Sequence, residues 1–205
     1  VPGAALILPV VFLKLPQITN LDQNHFNREF LDSIKNHLDV LKRDWQLFIN
    51  EIDYGYSVSR GCLSEATLSS GRFGSSRTKF QISAERSWQV TELKVQQGER
   101  LRIESSGEFV VGQSSPLTPW KCQSNGITIQ YYLGRPLGRL QVGILNRDAK
   151  TAKQQIKGLL NPLDIGIRGV ISVPTNGVLC FRINESPAFL DDNRGALEVV
   201  IENLE

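Results

Sequence analysis

Hydrophobic positions change their pattern along this chain. Between about Leu21 and Asn50 the apolar residues Phe26, Phe30, Ile34, Leu38, Leu41, Trp45 and Phe48 recur at steps of three and four, with Asn27, Asp32, Lys35, Lys42 and Arg43 falling elsewhere. That spacing gathers the apolar side chains on one face of a helix, so it predicts a long amphipathic α-helix over residues 21–50. Asn20 or Asp22 suits its N-cap, and the Asp53–Gly55 stretch suits its end. A stripe of that length predicts burial, either on the following domain or on another chain.

From Phe80 onward the texture is that of strands. Short runs such as WQVTELKV, RLRIESSG, EFVVG, GITIQYY and GRLQVGIL are broken by Gly, Asn, Pro and Ser. β-Branched and aromatic residues favour the pleated surface, and the breaks supply turns, so the pattern predicts an all-β sandwich or barrel. Arg147–Leu160 interrupts it with helical propensity, as a turn or two of helix or a polar excursion. Near the C-terminus the apolar runs Gly177–Ile183 and Ala196–Ile201 flank a polar loop holding Asn184, Glu185, Asp191, Asp192 and Asn193. The loop reads either as a solvated turn capped by its own Asp and Asn side chains or as a set of hard oxygen donors suited to calcium.

Ahead of the β region, Pro2, Pro9 and Pro16 make residues 1–20 an extended apolar arm, and residues 55–80 are rich in Gly and Ser, as loops or hairpins are. The organisation expected is an N-terminal extension over residues 1–80 and a β-sandwich domain over residues 81–205. The chain contains no methionine, so Val1 is not expected to be a translation start; Ala4–Leu13 reads as a signal-peptide remnant or, more simply, as a strand or arm packed on the domain.

Composition narrows the function classes only slightly. Hydrophobic content of 40%, charged content of 21% and a net charge of +2 are those of an ordinary globular protein, with no basic stripe for nucleic acid. No run is long and apolar enough for a membrane span. Three cysteines, Cys62, Cys122 and Cys180, stand far apart, and only His25 and His37 accompany them, which argues against a zinc site. G-x-S-x-G, H-E-x-x-H and the phosphate-cradling glycine motifs are absent, and no histidine lies in the β region, so an enzyme is not expected.

Three segments, Val90–Gly112, Gly126–Ile144 and above all Ile165–Ile201, resemble the PA-I galactophilic lectins, small calcium-dependent galactose-binding bacterial proteins. The likeness covers residues from about 88 to 202. It implies a mainly β fold, a β-sandwich of the galactose-binding-domain-like jelly-roll kind, here preceded by an amphipathic α-helix. By position it implies a Ca2+ site formed by Glu185, Asp192 and Asn193 with the carbonyls of Phe189 and Val111, two carboxylates offsetting the dication. Glu185 replaces the family's Asp, Asp192 its Asn and Phe189 its Thr. The family's sugar-contacting His and Gln fall near Cys122 and Asn125, so the implied ligand contacts are Glu185, Asp192, Asn125 and Cys122. Trp120, Tyr131 and Tyr132 are candidate rings for a sugar face. The expectation is a non-catalytic module in a secreted, periplasmic or cell-surface setting that recognises a glycan. The alternative is a structural or assembly subunit that uses helix 21–50 to dock a protein partner or a second copy.

Overall fold

The computed structural model describes residues 32, 35–64, 71–73, 77–113 and 119–204. In chain order the described elements are α1 (Leu38–Glu51), entered through a 3-10 turn at Lys35–His37, α2 (Val58–Gly61), β1 (Gly71–Phe73), β2 (Arg77–Ser83), β3 (Gln89–Val95), β4 (Arg100–Ser106), β5 (Phe109–Gln113), β6 (Pro119–Cys122), β7 (Asn125–Tyr132), β8 (Arg135–Leu145), α3 (Ala152–Gln155), α4 (Lys157–Leu160), β9 (Leu163–Asp164), β10 (Arg168–Ser172), β11 (Gly177–Ile183) and β12 (Arg194–Asn203). The strands form two antiparallel sheets. One runs β1-β2-β12-β4-β10 with β5 and β6 appended, and the other runs β3-β11-β8-β7 with β9 on β8.

Alternation along the strands builds the main core. Leu197, Val199 and Ile201 of β12, Phe80 and Ile82 of β2, and Leu101 and Ile103 of β4 face Leu179, Phe181 and Ile183 of β11 and Leu140, Val142 and Ile144 of β8. The chain is therefore a β-sandwich, as its short strand-forming runs broken by turn residues predict. The sandwich takes in β1 and β2, which begin ahead of residue 81, and β2 pairs with β12 along its length.

β11 is buried on both faces, because a second core covers the outer side of its sheet. Val178 and Cys180, with Trp88, Val90 and Leu145, meet Leu47 of α1 and Ile156 and Leu159 beside α3 and α4. The polar run Arg147–Leu160 thus holds two short helical turns, the first capped by the Thr151 hydroxyl, which accepts from the Gln154 N–H at 3.3 Å.

α1 corrects the sequence reading of the helix. Its buried positions are Arg43, Asp44, Leu47 and Glu51, whereas Leu38 is 36% exposed and Trp45 60% exposed. Phe26, Phe30, Ile34 and the arm Ala4–Leu13 lie outside the described residues. The polar face turns inward because the sheet beneath it is not wholly apolar. Arg182 of β11 projects outward, 1% exposed, and a buried guanidinium needs a partner. Glu51 supplies it through an ion pair, Gln141 accepts from Arg182 Nε at 2.8 Å, and the Trp88 ring lies 4.7 Å from the guanidinium carbon. Further along α1, the Asp44 carboxylate accepts from the Leu63 N–H at 3.0 Å. The apolar side chains left over, Leu41, Trp45 and Phe48, line an open groove of about 760 Å3 shared with Val58 and Ala152.

Candidate functional site

The polar loop recognised in the sequence does not close a hairpin. β11 and β12 belong to different sheets, so residues 184–193 cross the end of the sandwich. Asn184, Glu185, Ser186, Leu190 and Asn193 are buried within that crossing. A buried loop must satisfy its polar groups internally, and its side chains do so by tying neighbouring loops together.

Asn184 pins the β7–β8 turn. Its Nδ2 lies 3.0 Å from the Tyr132 carbonyl, 3.1 Å from that of Arg135 and 3.0 Å from that of Pro136. The turn needs such support: Leu133 sits at φ 50° and Gly134 at φ 74°, and a leucine pays for the left-handed region sterically. The hairpin presents Tyr131, 62% exposed, and the half-buried Tyr132. Tyr132 hydrogen-bonds with Ser186, and burial pushes its phenol up to about 12, the charge of Glu51 adding to this and that of Arg182 opposing it.

Asn193 pins a third loop. Its Nδ2 donates to the Ala84 carbonyl at 2.9 Å and to Glu185 Oε2 at 2.7 Å, while its Oδ1 accepts from the Gly112 N–H at 3.3 Å. Exchanging the amide's two ends would set its oxygen against two acceptors, so the orientation follows from its partners. Glu185 is 4% exposed. Burial pushes its pKa up to about 7, the Asn193 hydrogen bond opposing and the Asp192 charge reinforcing that rise. Asp192 is half-buried, and its Oδ1 is enclosed without a hydrogen-bond partner.

These loops enclose a cleft of about 690 Å3. Glu185, Asp192, Ser186 and Asp53 supply its polar groups; Trp120, Tyr131, Tyr132 and Phe189 supply rings, with Ile129, Gln130, Leu137 and Gly112 between them. Of the residues expected from sequence, Glu185, Asp192 and Phe189 come together here, as do the three candidate aromatics. Val111 is fully buried in the main core, with its neighbour Gly112 at the cleft. Asn193 is the scaffold behind Glu185 and turns its amide nitrogen toward that carboxylate.

Cys122 and Asn125 do not join the cleft lining. The Cys122 side chain is in the main core with its thiol donating to the Gln123 carbonyl at 3.0 Å, and Asn125 Oδ1 accepts from the Ile167 N–H at 3.0 Å. Asp53 is the residue that the sequence pattern gave no reason to choose. It follows α1 and reaches the cleft because the Ser57 N–H donates to the Pro187 carbonyl at 3.2 Å, clamping the segment after α1 onto the 184–193 loop.

A calcium site can be tested against this geometry. Two electrostatically coupled carboxylates line the cleft, one buried and held toward its neutral form, the other with an enclosed, unpartnered oxygen, and the carbonyls of the adjoining loops are oxygen donors as well. That donor set fits a hard dication at Glu185 and Asp192. The Asn193 side chain does not fit as a ligand in this arrangement, because its oxygen is turned to Gly112. Among the described residues no group of three or more His, Cys, Asp or Glu side chains gathers as a metal cluster.

No protein-family model matches the chain, and no curated protein matches it. Among solved structures, the chain is similar to the N-terminal domain of EclA, a PllA-like lectin, at 17% identity and a TM-score of 0.44, over 61% of this chain and 94% of that one. It is also similar to PliG of Aeromonas hydrophila, a periplasmic inhibitor of g-type lysozyme, at 9% identity and a TM-score of 0.36, over 67% of this chain and 95% of that one. At these values neither likeness bears on what the cleft takes.

Proposed function

We propose that the chain is a non-catalytic binding module that holds a glycan in the cleft at the end of the sandwich, with Ca2+ between Glu185 and Asp192. One observation carries this: two electrostatically coupled carboxylates, one with an enclosed unpartnered oxygen, line a cleft walled by four aromatic rings. Sugar rings present apolar faces that stack on aromatic side chains, and their hydroxyls pair with carboxylates and amides. A calcium ion there would neutralise the carboxylate pair and offer its open positions to sugar hydroxyls. The chain's own groups do the rest: Asn193 orients Glu185, Asn184 holds the tyrosine hairpin, and Ser186 fixes Tyr132. Such a module acts at a cell surface, in the periplasm or outside the cell.

The test is a thermal melt of metal-stripped protein with Ca2+ or with chelator, followed by a glycan array. Calcium at ~100 times its dissociation constant adds ~2.7 kcal/mol, which for a chain of this size is a rise of about 5–10 °C. Glu185→Gln and Asp192→Asn should each remove that rise. A rise that survives both would overturn the metal assignment, and an array without hits in either condition would overturn the glycan reading.

A second reading, an assembly subunit that docks through α1, draws on the 60% exposure of Trp45 beside the apolar groove. Sedimentation of wild type against Trp45→Ala distinguishes it, since docking of a second copy through that face would be weakened by the substitution.

A further inference from the structure

The cleft is acidic on two sides. Glu185 and Asp192 come from the loop between β11 and β12, and Asp53 comes from the segment after α1. Among the described residues no Lys, Arg or His lines it. The guanidinium of Arg182, whose charge acts on the lining residue Tyr132, is 1% exposed and spent on Glu51, Gln141 and the Trp88 ring. The remaining walls are rings, whose faces carry negative potential and attract cations. An anionic sugar entering this space would meet carboxylates and ring faces and, a bound calcium aside, no cationic side chain of the described lining.

We infer that the cleft selects a cationic sugar, an amino sugar with a free ammonium group, and that Asp53 sets this preference. This rests on the glycan reading above and narrows it to a ligand class. Calcium at Glu185 and Asp192 neutralises that pair and leaves Asp53 as the one uncompensated lining charge, so the preference holds with the metal bound. Asp53 is exposed, with one oxygen accepting from the Tyr54 N–H at 2.7 Å, and it is free to take a ligand ammonium with the other. Its position depends on the extension: the Glu51 ion pair ends α1 against β11, and the Ser57–Pro187 hydrogen bond clamps the far side. A specificity-determining residue is thereby carried by a segment outside the sandwich strands.

The experiment is isothermal titration of the full chain in saturating Ca2+ with four sugar sets: glucosamine and galactosamine, their N-acetyl derivatives, the parent hexoses, and the uronic acids. The amines should bind about three- to tenfold more tightly than the N-acetyl forms, the combined worth of an exposed ion pair and a ring contact. Uronic acids should bind most weakly, and added salt should narrow the spread. Asp53→Asn keeps the acceptor for Tyr54 and should bring amines and N-acetyl sugars to parity. Equal binding of amines and neutral sugars by the wild type, or an amine preference that survives Asp53→Asn, overturns the inference while leaving the glycan site standing. Absence of binding by every sugar overturns both.

Discussion

Removing Glu51 should cost far more than removing an exposed charge from α1. Glu51 is 6% exposed and Arg182 1% exposed, so Glu51→Ala leaves a guanidinium in the interior with only Gln141 and the Trp88 ring to receive it. Breaking a buried pair from one side costs about 3–5 kcal/mol, against 0–1 kcal/mol for a surface pair. In a chain of this size that lowers the melting temperature by about 6–20 °C. Urea unfolding followed by tryptophan fluorescence is the direct assay, since Trp88 is fully buried beside Arg182. With a slope of about 1–3 kcal/mol per molar, the midpoint should fall by at least ~1 M. The paired replacement Glu51→Leu with Arg182→Met should recover most or all of the loss, because it removes both charges from the interior. A loss below about 1 kcal/mol for Glu51→Ala would mean that the pair behaves as a solvated surface contact, and the account of why α1 buries its polar face would fail.

Three further outcomes are expected. In chelator, Glu185 should make the protein less stable as pH rises. Its folded pKa of about 7 lies above the ordinary 4.5, so the folded state holds the extra proton between those values, and stability declines across that window by about 3 kcal/mol. Glu185→Gln should flatten the slope in melts taken between about pH 5 and 8, and an unchanged slope would assign it to another group. Trp45→Asp should leave the melting temperature nearly unchanged, whereas Leu47→Ala, at a fully buried position, should cost about 2–5 kcal/mol. Equal losses would mean that α1 is packed through the face that the structure leaves open. Finally, none of Cys62, Cys122 and Cys180 is in a disulfide among the described residues; burial pushes Cys62 up to about 12 and Cys122 up to about 11. Iodoacetamide near pH 8 should label all three in denaturant and, in native protein, neither of the buried Cys122 and Cys180 and the half-buried Cys62 only slowly; rapid native labelling of Cys122 or Cys180 would contradict their burial.

Much of the cleft was legible along the chain. The 184–193 loop stood out by its carboxylates and amides, and Trp120, Tyr131 and Tyr132 by their aromatic character between turn signals. What could not be read was the purpose of each group. Asn193 has the chemistry of a ligand, and only its simultaneous contacts with Ala84, Glu185 and Gly112 make it a scaffold. Cys122 and Asn125 were suggested by alignment with a remote pattern, and strand register carries them to the core and to the Ile167 backbone instead.

By itself the sequence determined where strands and helices form: apolar runs of β-propensity for β11 and β12, steps of three and four for α1, and helical propensity for α3 and α4. Those are local properties, because a side chain's direction relative to its own backbone depends only on nearby dihedral angles. Which face is buried depends on what lies opposite, and here the partner is far along the chain. Glu51 and Arg182 are 131 residues apart, and no periodicity in α1 announces that a buried guanidinium lies in β11. The same holds for the placement of β11 and β12 in separate sheets, and for Asp53 beside Glu185. Tertiary structure decided these, since the free energy of burying a charge is set by its neighbours in space.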